Sequence, residues 1–148
     1  MAAESLLVLE TNLDDIPAEQ VGFAMETLLA AGALDVWTTP IGMKKCRPGV
    51  MISILTKPHL REKLEAILFQ HTTTLGVRCY EVERRSLPRI SRVVATKYGE
   101  IRVKESTLPD GTKRTKPEAD DIYGIAQKHG VSAATVLEEV RLAETRRA

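Results

Sequence analysis

Aromatic residues make up only 4% of these 148 residues. A platform that stacks single-stranded nucleic acid draws on several exposed rings, so that function has little to build on. Only two cysteines occur, Cys46 and Cys79, far apart and without a C-x-x-C pair. A structural zinc site and a thioredoxin-like motif are thereby unsupported; the two thiols leave a disulfide open on paper, but nothing marks the chain as secreted. The three histidines, His59, His71 and His129, lack metal-ligand spacing. Neither sign of charge is in excess: the net charge is +1, which points to neither DNA nor an anionic membrane. No apolar run approaches the ~18 residues of a spanning helix, and no basic-then-apolar leader is present. A Walker A loop, a Rossmann glycine fingerprint and a nucleophile elbow are also missing. These absences lead us to expect a soluble, cytoplasmic protein without a membrane or nucleic-acid partner.

What is present is an ordinary globular composition, 43% hydrophobic and 28% charged. The first 85 residues read as two copies of a strand–helix–strand pattern. Ser5–Glu10 is strand-like. A helix from near Pro17 carries Val21, Met25, Leu28 and Leu29 on one stripe and stops at Gly32. A strand through Leu34, Val36 and Thr38 follows. Val50–Leu55 is apolar on both faces, as a central strand would be. Pro58 opens a second helix with Leu60, Leu64, Ile67 and Leu68, which Gly76 ends, and Val77–Glu83 alternates as a fourth strand. The order βαββαβ predicts a ferredoxin-like domain over residues 1–85.

Beyond Arg84 the composition shifts to arginines interleaved with Pro88, a linker or a positively charged edge strand. Arg92–Lys97 and Glu100–Glu105 flank Tyr98-Gly99 as a hairpin, and Pro109-Asp110-Gly111 is a turn. Helices are predicted from about Pro117 to Lys128 and from Ser132, a good N-cap, to about Glu144. Residues 86–148 thus form a second, small α+β domain of two strands and two helices.

Three clusters carry candidate chemistry. The first, Glu10-Thr11-Asn12-Leu13-Asp14-Asp15, places three carboxylates where a strand ends and a helix starts. A hard cation takes one or two carboxylates plus water and phosphate oxygens. Glu10, Asn12 and Asp14 share one side of the strand if it extends that far, and Asp15 could cap the helix. The competing reading is that all three acids only solvate and cap. The second is a basic β-connection bracketed by Gly42 and Gly49. There Lys44, Lys45 and Arg47 suit phosphate, although lysines are routine at a solvated hairpin tip. The third, Thr72-Thr73-Thr74 with Gly76 and Arg78, is either a phosphate cradle or a helix end whose hydroxyls bond local backbone. In the second domain Lys104, Lys113, Arg114 and Lys116 precede Glu118, Asp120 and Asp121, acids that suit a helix start.

Together with Gly32-Ala33-Leu34-Asp35-Val36, Thr39-Pro40-Ile41-Gly42-Met43-Lys44-Lys45, Arg47-Pro48-Gly49, Thr72–Arg78 and Lys116-Pro117-Glu118 with Asp120-Asp121, these segments resemble the carboxy-terminal half of the LarC family. The likeness runs from about Val8 to Arg141. LarC proteins are the nickel-insertion proteins of nickel-pincer cofactor synthesis, and the resemblance implies a CTP-dependent nickel chelatase, or cyclometallase, of the lyase class. It would place Ni2+ in a pyridinium bisthiocarboxylate mononucleotide, with CTP bound alongside Mn2+ or Mg2+. Carried over, it implies that Glu10, Asp14 and Asp15 hold the divalent cation. It also implies that Lys44, Lys45, Arg47, Thr73, Thr74, Arg78 and Lys104 contact the nucleotide. No catalytic residue is assigned. The amino-terminal region of the family has no counterpart here, so the resemblance is to a CTP-binding module, cut from a longer protein or separately encoded, with that half as its partner. Homo-oligomerisation is expected from the small cores.

Two other functions compete. A regulatory, non-catalytic ferredoxin-like domain would bind a small molecule without manganese or turnover. An RNA-binding module would use Arg84, Arg85, Arg89, Arg92 and the Lys44 loop, but its sheet should carry exposed aromatics, where the central strands offer Trp37 alone.

Overall fold

In the computed structural model, which describes residues 2–146, the chain divides into two compact units, one of Ala3–Arg85 and one that holds, among the described residues, Ala2 and 86–146. The first is built from β1 (Ala2–Leu13), α1 (Ala18–Ala30), β2 (Asp35–Met43), β3 (Arg47–Thr56), α2 (Arg61–His71) and β4 (Arg78–Ser86). A 3₁₀ turn at Pro58–Leu60 leads into α2. The strands order as β2-β3-β1-β4. β3 is antiparallel to both neighbours, with Glu10 opposite Ser53 and Trp37 opposite Ser53. Contacts from Arg78 to Asn12, Tyr80 to Glu10 and Arg84 to Glu4 climb β4 as they descend β1, so that pair is antiparallel too. This order, with a helix crossing over between β1 and β2 and another between β3 and β4, is that of a split βαβ unit.

Alternation along the strands decides the faces. Leu9, Leu13, Val36, Ile52 and Ile54 turn to the helices and pack with Val21 and Leu28 of α1 and Leu64 and Leu68 of α2. β3 is interior, and Ile52, Ser53 and Ile54 are all fully buried. The α1 stripe differs from the expected one: Ala24 and Leu28 face the core, whereas Leu29 is 48% exposed, having rotated past the edge of the buried face. Gly32 takes φ 108°, which a side chain would resist, and lets the chain turn from α1 toward β2.

The second unit comprises β5 (Arg89–Thr96), β6 (Gly99–Thr107), β7 (Lys113–Pro117), α3 (Ala119–His129) and α4 (Ala133–Thr145). Its sheet is antiparallel in the order β5-β6-β7. Val94, Ile101 and Val103 pack against Ile122, Ala126, Val136 and Val140. Ser132 caps α4 by accepting from the Thr135 amide at 3.1 Å. β7 is a third strand where the sequence pattern offers two. Its run Lys-Arg-Thr-Lys-Pro has no apolar alternation because it lies on the sheet edge, where charge and proline are tolerated. Pro117 ends that strand opposite Val103, and α3 starts two residues later.

Arg92 holds this unit together. Its guanidinium donates to Glu105 at 2.8 Å and to both oxygens of Glu144, and lies 3.3 Å from the Thr115 hydroxyl. Lys113 pairs with the other oxygen of Glu105 at 2.8 Å. Three strands and α4 thus meet at one largely buried charge, raised well above the usual arginine pKa by its hydrogen bonds to Glu144.

Candidate functional site

Because β1 and β2 run one way and β3 and β4 the other, the ends of the first pair and the starts of the second share one end of the sheet. That end gathers the acidic segment, the basic connection and the threonine run. β1 continues through Leu13, so Glu10 to Asn12 lie within the strand and only Asp14, Asp15 and Ile16 form the bend into α1. Asp15 does not cap the helix: the N-cap is Pro17, without a side-chain bond, and Asp15 instead accepts from the Thr73 hydroxyl at 2.5 Å.

β2 and β3 form a hairpin whose register closes at Met43 opposite Arg47, leaving Lys44, Lys45 and Cys46 as the tip. Lys45 (φ 62°) and Cys46 (φ 55°) both adopt the left-handed conformation. Without glycine this costs roughly 1 kcal/mol per residue. Lys44, Lys45 and Arg47 are exposed. Arg47 meets Asp14 at 3.4 Å, and among the described residues neither lysine meets a carboxylate.

Beside the hairpin a cavity of about 520 Å³ opens between the end of β1, the first turns of α1 and the start of β3. Leu13, Ile16, Val21, Met25, Pro48 and Val50 line it, with Asp14 as its carboxylate. Gly49 is obligatory in this wall. A Cβ there would stand 2.8 Å from the Leu13 carbonyl oxygen and 2.9 Å from Met43 Sδ.

The threonine run is not helical: α2 ends at His71, and the Thr72 hydroxyl donates to the Leu68 carbonyl at 2.6 Å. Thr74 is buried, hydrogen-bonded to the Thr11 hydroxyl, and both hydroxyls lie about 3 Å from the Gly76 carbonyl oxygen (3.0 and 2.9 Å). The hydroxyl pair pins the connection to β1. Thr73 alone of the two expected phosphate-binding hydroxyls is exposed. Thr11 was legible as a polar residue in the inward phase of Leu7, Leu9 and Leu13, which is the phase of a buried hydroxyl.

Glu10 and Arg78 lie on the sheet face opposite the helices. Glu10 accepts from Ser53 Oγ at 3.2 Å and from Tyr80 Oη at 2.9 Å, and its second oxygen is 3.5 Å from Arg78 Nη2. That donation to Glu10 raises the Tyr80 phenol above its usual pKa. Arg78 Nη2 also donates to Asn12 Oδ1 at 2.8 Å. The three carboxylates of the acidic segment therefore have three different sets of partners. Among the described residues no three His, Cys, Asp or Glu side chains gather closely enough to hold a metal. Lys104 belongs to the second unit, where it pairs with Glu118 at 2.7 Å. No helix among the described residues is long and apolar enough to cross a membrane.

The sheet end of the first unit sets two lysines without a carboxylate partner among the described residues beside Asp14 and Asp15, and sequence comparison places the chain in a family. It belongs to the nickel insertion protein family, whose pattern matches residues 1–137. The putative nickel insertion protein of Roseiflexus castenholzii is 47% identical over 135 residues, 91% of this chain and 34% of that protein. The pyridinium-3,5-bisthiocarboxylic acid mononucleotide nickel insertion protein of Acetivibrio thermocellus is 41% identical over 140 residues, 95% of this chain and 34% of that one. The chain thus spans about a third of the length of these curated relatives. Among solved structures, LarC2 in its apo form is 37% identical with a TM-score of 0.90, covering 97% of this chain and 99% of that one. LarC2 is described as the C-terminal domain of a cyclometallase involved in the synthesis of the NPN cofactor of lactate racemase. Protein MK0293 from Methanopyrus kandleri, 24% identical with a TM-score of 0.69 over 96% of this chain and 90% of that one, shares the fold.

Proposed function

We propose that this chain is the nucleotide-binding part of a nickel insertion protein. In this reading it holds CTP with Mn2+ or Mg2+ while Ni2+ is placed in a pyridinium bisthiocarboxylate mononucleotide. The observation that carries the reading is the strained, glycine-free hairpin tip presenting two unpaired lysines beside Arg47, at the same sheet end as Asp14, Asp15 and Thr73. Lys44, Lys45 and Arg47 would neutralise the phosphates, since phosphoryl sites mostly position and screen charge. Magnesium-type ions keep several waters and take one or two carboxylates plus phosphate oxygens. Asp14 and Asp15 fit that demand, which needs no closed three-ligand cage.

These relatives are about three times as long as this chain. We propose that the rest of such a protein takes part in nickel insertion, and that the working assembly is a cytoplasmic homo-oligomer. Phe23, Leu29 and Phe69, each about half exposed on α1 and α2 (56%, 48% and 50%), support self-association. Calorimetric titration with CTP in manganese, magnesium or EDTA, against ATP, tests the core of the reading. Metal-dependent binding that favours CTP and is lost in a Lys44→Ala/Lys45→Ala double variant is expected. Binding that ignores the metal would favour a regulatory small-molecule domain using the apolar cavity, and no nucleotide binding would overturn the proposal.

A further inference from the structure

The sheet face opposite the helices carries an arrangement that the nucleotide reading does not use. Trp37, Ser53 and Glu10 are successive cross-strand partners, and Tyr80 on β4 completes the row through its bond to Glu10. The adjacent row runs Thr39, Met51 and Asn12, and Arg78 joins it through Asn12. Four strands therefore set two aromatic rings at the ends of a row, Trp37 38% and Tyr80 46% exposed, with a carboxylate between them.

Arg78 does more than flank this row. Its Nη2 lies 3.4 Å from Met51 Sδ, so the side chain crosses β1 and brings its guanidinium over β3. Met51 is the diagonal neighbour of Trp37, at roughly 7–8 Å for such pairs in an antiparallel sheet. One patch thus offers a part-exposed indole, a carboxylate and a guanidinium, the two charges 3.5 Å apart. Glu10 is only 15% exposed, and holding a carboxylate at that depth of a sheet is costly unless it is paired.

A neutral pyrimidine can hydrogen-bond to such a pair but does not match its charges. A cationic aromatic ring with an anionic tail does: the ring stacks on the indole by cation–π attraction, Glu10 faces its positive charge, and the planar fork of Arg78 takes a phosphate or a ring acid. We propose that this face binds the pyridinium mononucleotide substrate, with Trp37, Glu10 and Arg78 as its binding residues. The inference rests on the nickel-insertion reading for the identity of the ligand, and on the row of side chains for the place. It puts the substrate one row of residues from the sheet end that carries the nucleotide cluster.

Trp37 is the only tryptophan in the chain, so its fluorescence reports the site directly. The probe is nicotinic acid mononucleotide, a pyridinium mononucleotide with one ring carboxylate, with uridine monophosphate as the neutral-ring control. Saturable quenching by the first and not the second is expected. Glu10→Gln and Arg78→Gln should each weaken it about five- to tenfold, the scale of one charge-assisted hydrogen bond, with thermal melts showing both variants folded. Should either variant fail to fold, Tyr80→Phe and Asn12→Ala serve in its place, with a weakening of at least twofold expected. Quenching that is linear in probe, equal with uridine monophosphate, or unchanged in the folded variants overturns the assignment, as does protection of Trp37 that follows protein concentration, which would mark an interface between copies. CTP calorimetry on the same samples separates the two claims. Nucleotide binding without pyridinium binding sinks this site alone, and the reverse sinks the nucleotide reading alone.

Discussion

At the scale of single residues, the site depends on backbone conformations and close approaches more than on special side chains. Gly49 is the clearest case, because a methyl group there would strike the Leu13 carbonyl, a backbone atom with nowhere to go. Gly49→Ala should lower stability by about 1–3 kcal/mol, the usual cost of overpacking, and shrink the cavity beside Asp14. A denaturant midpoint shift without a change in slope would check it. Cys46 makes the opposite case. Its φ of 55° is one that glycine adopts freely, so Cys46→Gly should raise stability by up to about 1 kcal/mol while leaving the lysine charges in place. An unchanged or lower melting temperature would show that the tip is not strained. The sequence offers the lysines and threonines of this region as candidates, and strand order brings them to one sheet end, but the sequence could not say which hydroxyl faces outward. Thr73 and Thr74 are chemically equal, and only the bond of Thr74 to Thr11, 63 residues away, separates them.

At the scale of elements, the strands of the first unit and all four helices were legible from periodicity, because burial imposes a period of two or 3.6 on apolar residues. β7 was not, since an edge strand owes its place to hydrogen bonds with β6 rather than to apolar contacts. The extent of β1 was also hidden. The sequence pattern ends the strand near Glu10 and leaves its continuation open, yet Thr11 to Leu13 also belong to it, with Glu10 and Asn12 on the open face and Thr11 turned inward. One inter-element tie is open to titration. Asp121 at the start of α3 accepts from the Arg102 guanidinium and backbone amide of β6, which holds its carboxyl down at about 2 against an ordinary 3.8. With the folded value depressed, the stabilisation is complete above about pH 4 and is lost as pH falls through 2. Asp121→Asn should melt below the parent at pH 7, and the gap should close on acidification toward pH 2. A gap that persists at pH 2 would show that the carboxylate charge plays no part.

At the scale of the whole molecule, two hydrophobic cores with no buried residue in common suggest that each unit is a folding unit of its own. Residues 1–85 expressed alone should therefore melt cooperatively, with helix and strand signals intact by circular dichroism. A non-cooperative melt would mean that the first core needs the second unit. A change of composition after Arg84 is visible in the sequence, but the grouping of the candidate loops at one sheet end is not. That grouping follows from strand order, which no local pattern encodes. The same order has a consequence for synthesis. β1 is one of the two inner strands, and its partners arrive late: Glu10 meets Ser53 43 residues on and Tyr80 70 residues on. At translation rates of about 5–20 residues per second, roughly 4–14 s separate Glu10 from Tyr80. Through that interval the apolar run Leu6–Leu9 has no finished sheet to enter, and it is the stretch of the nascent chain with most to gain from a chaperone's shelter.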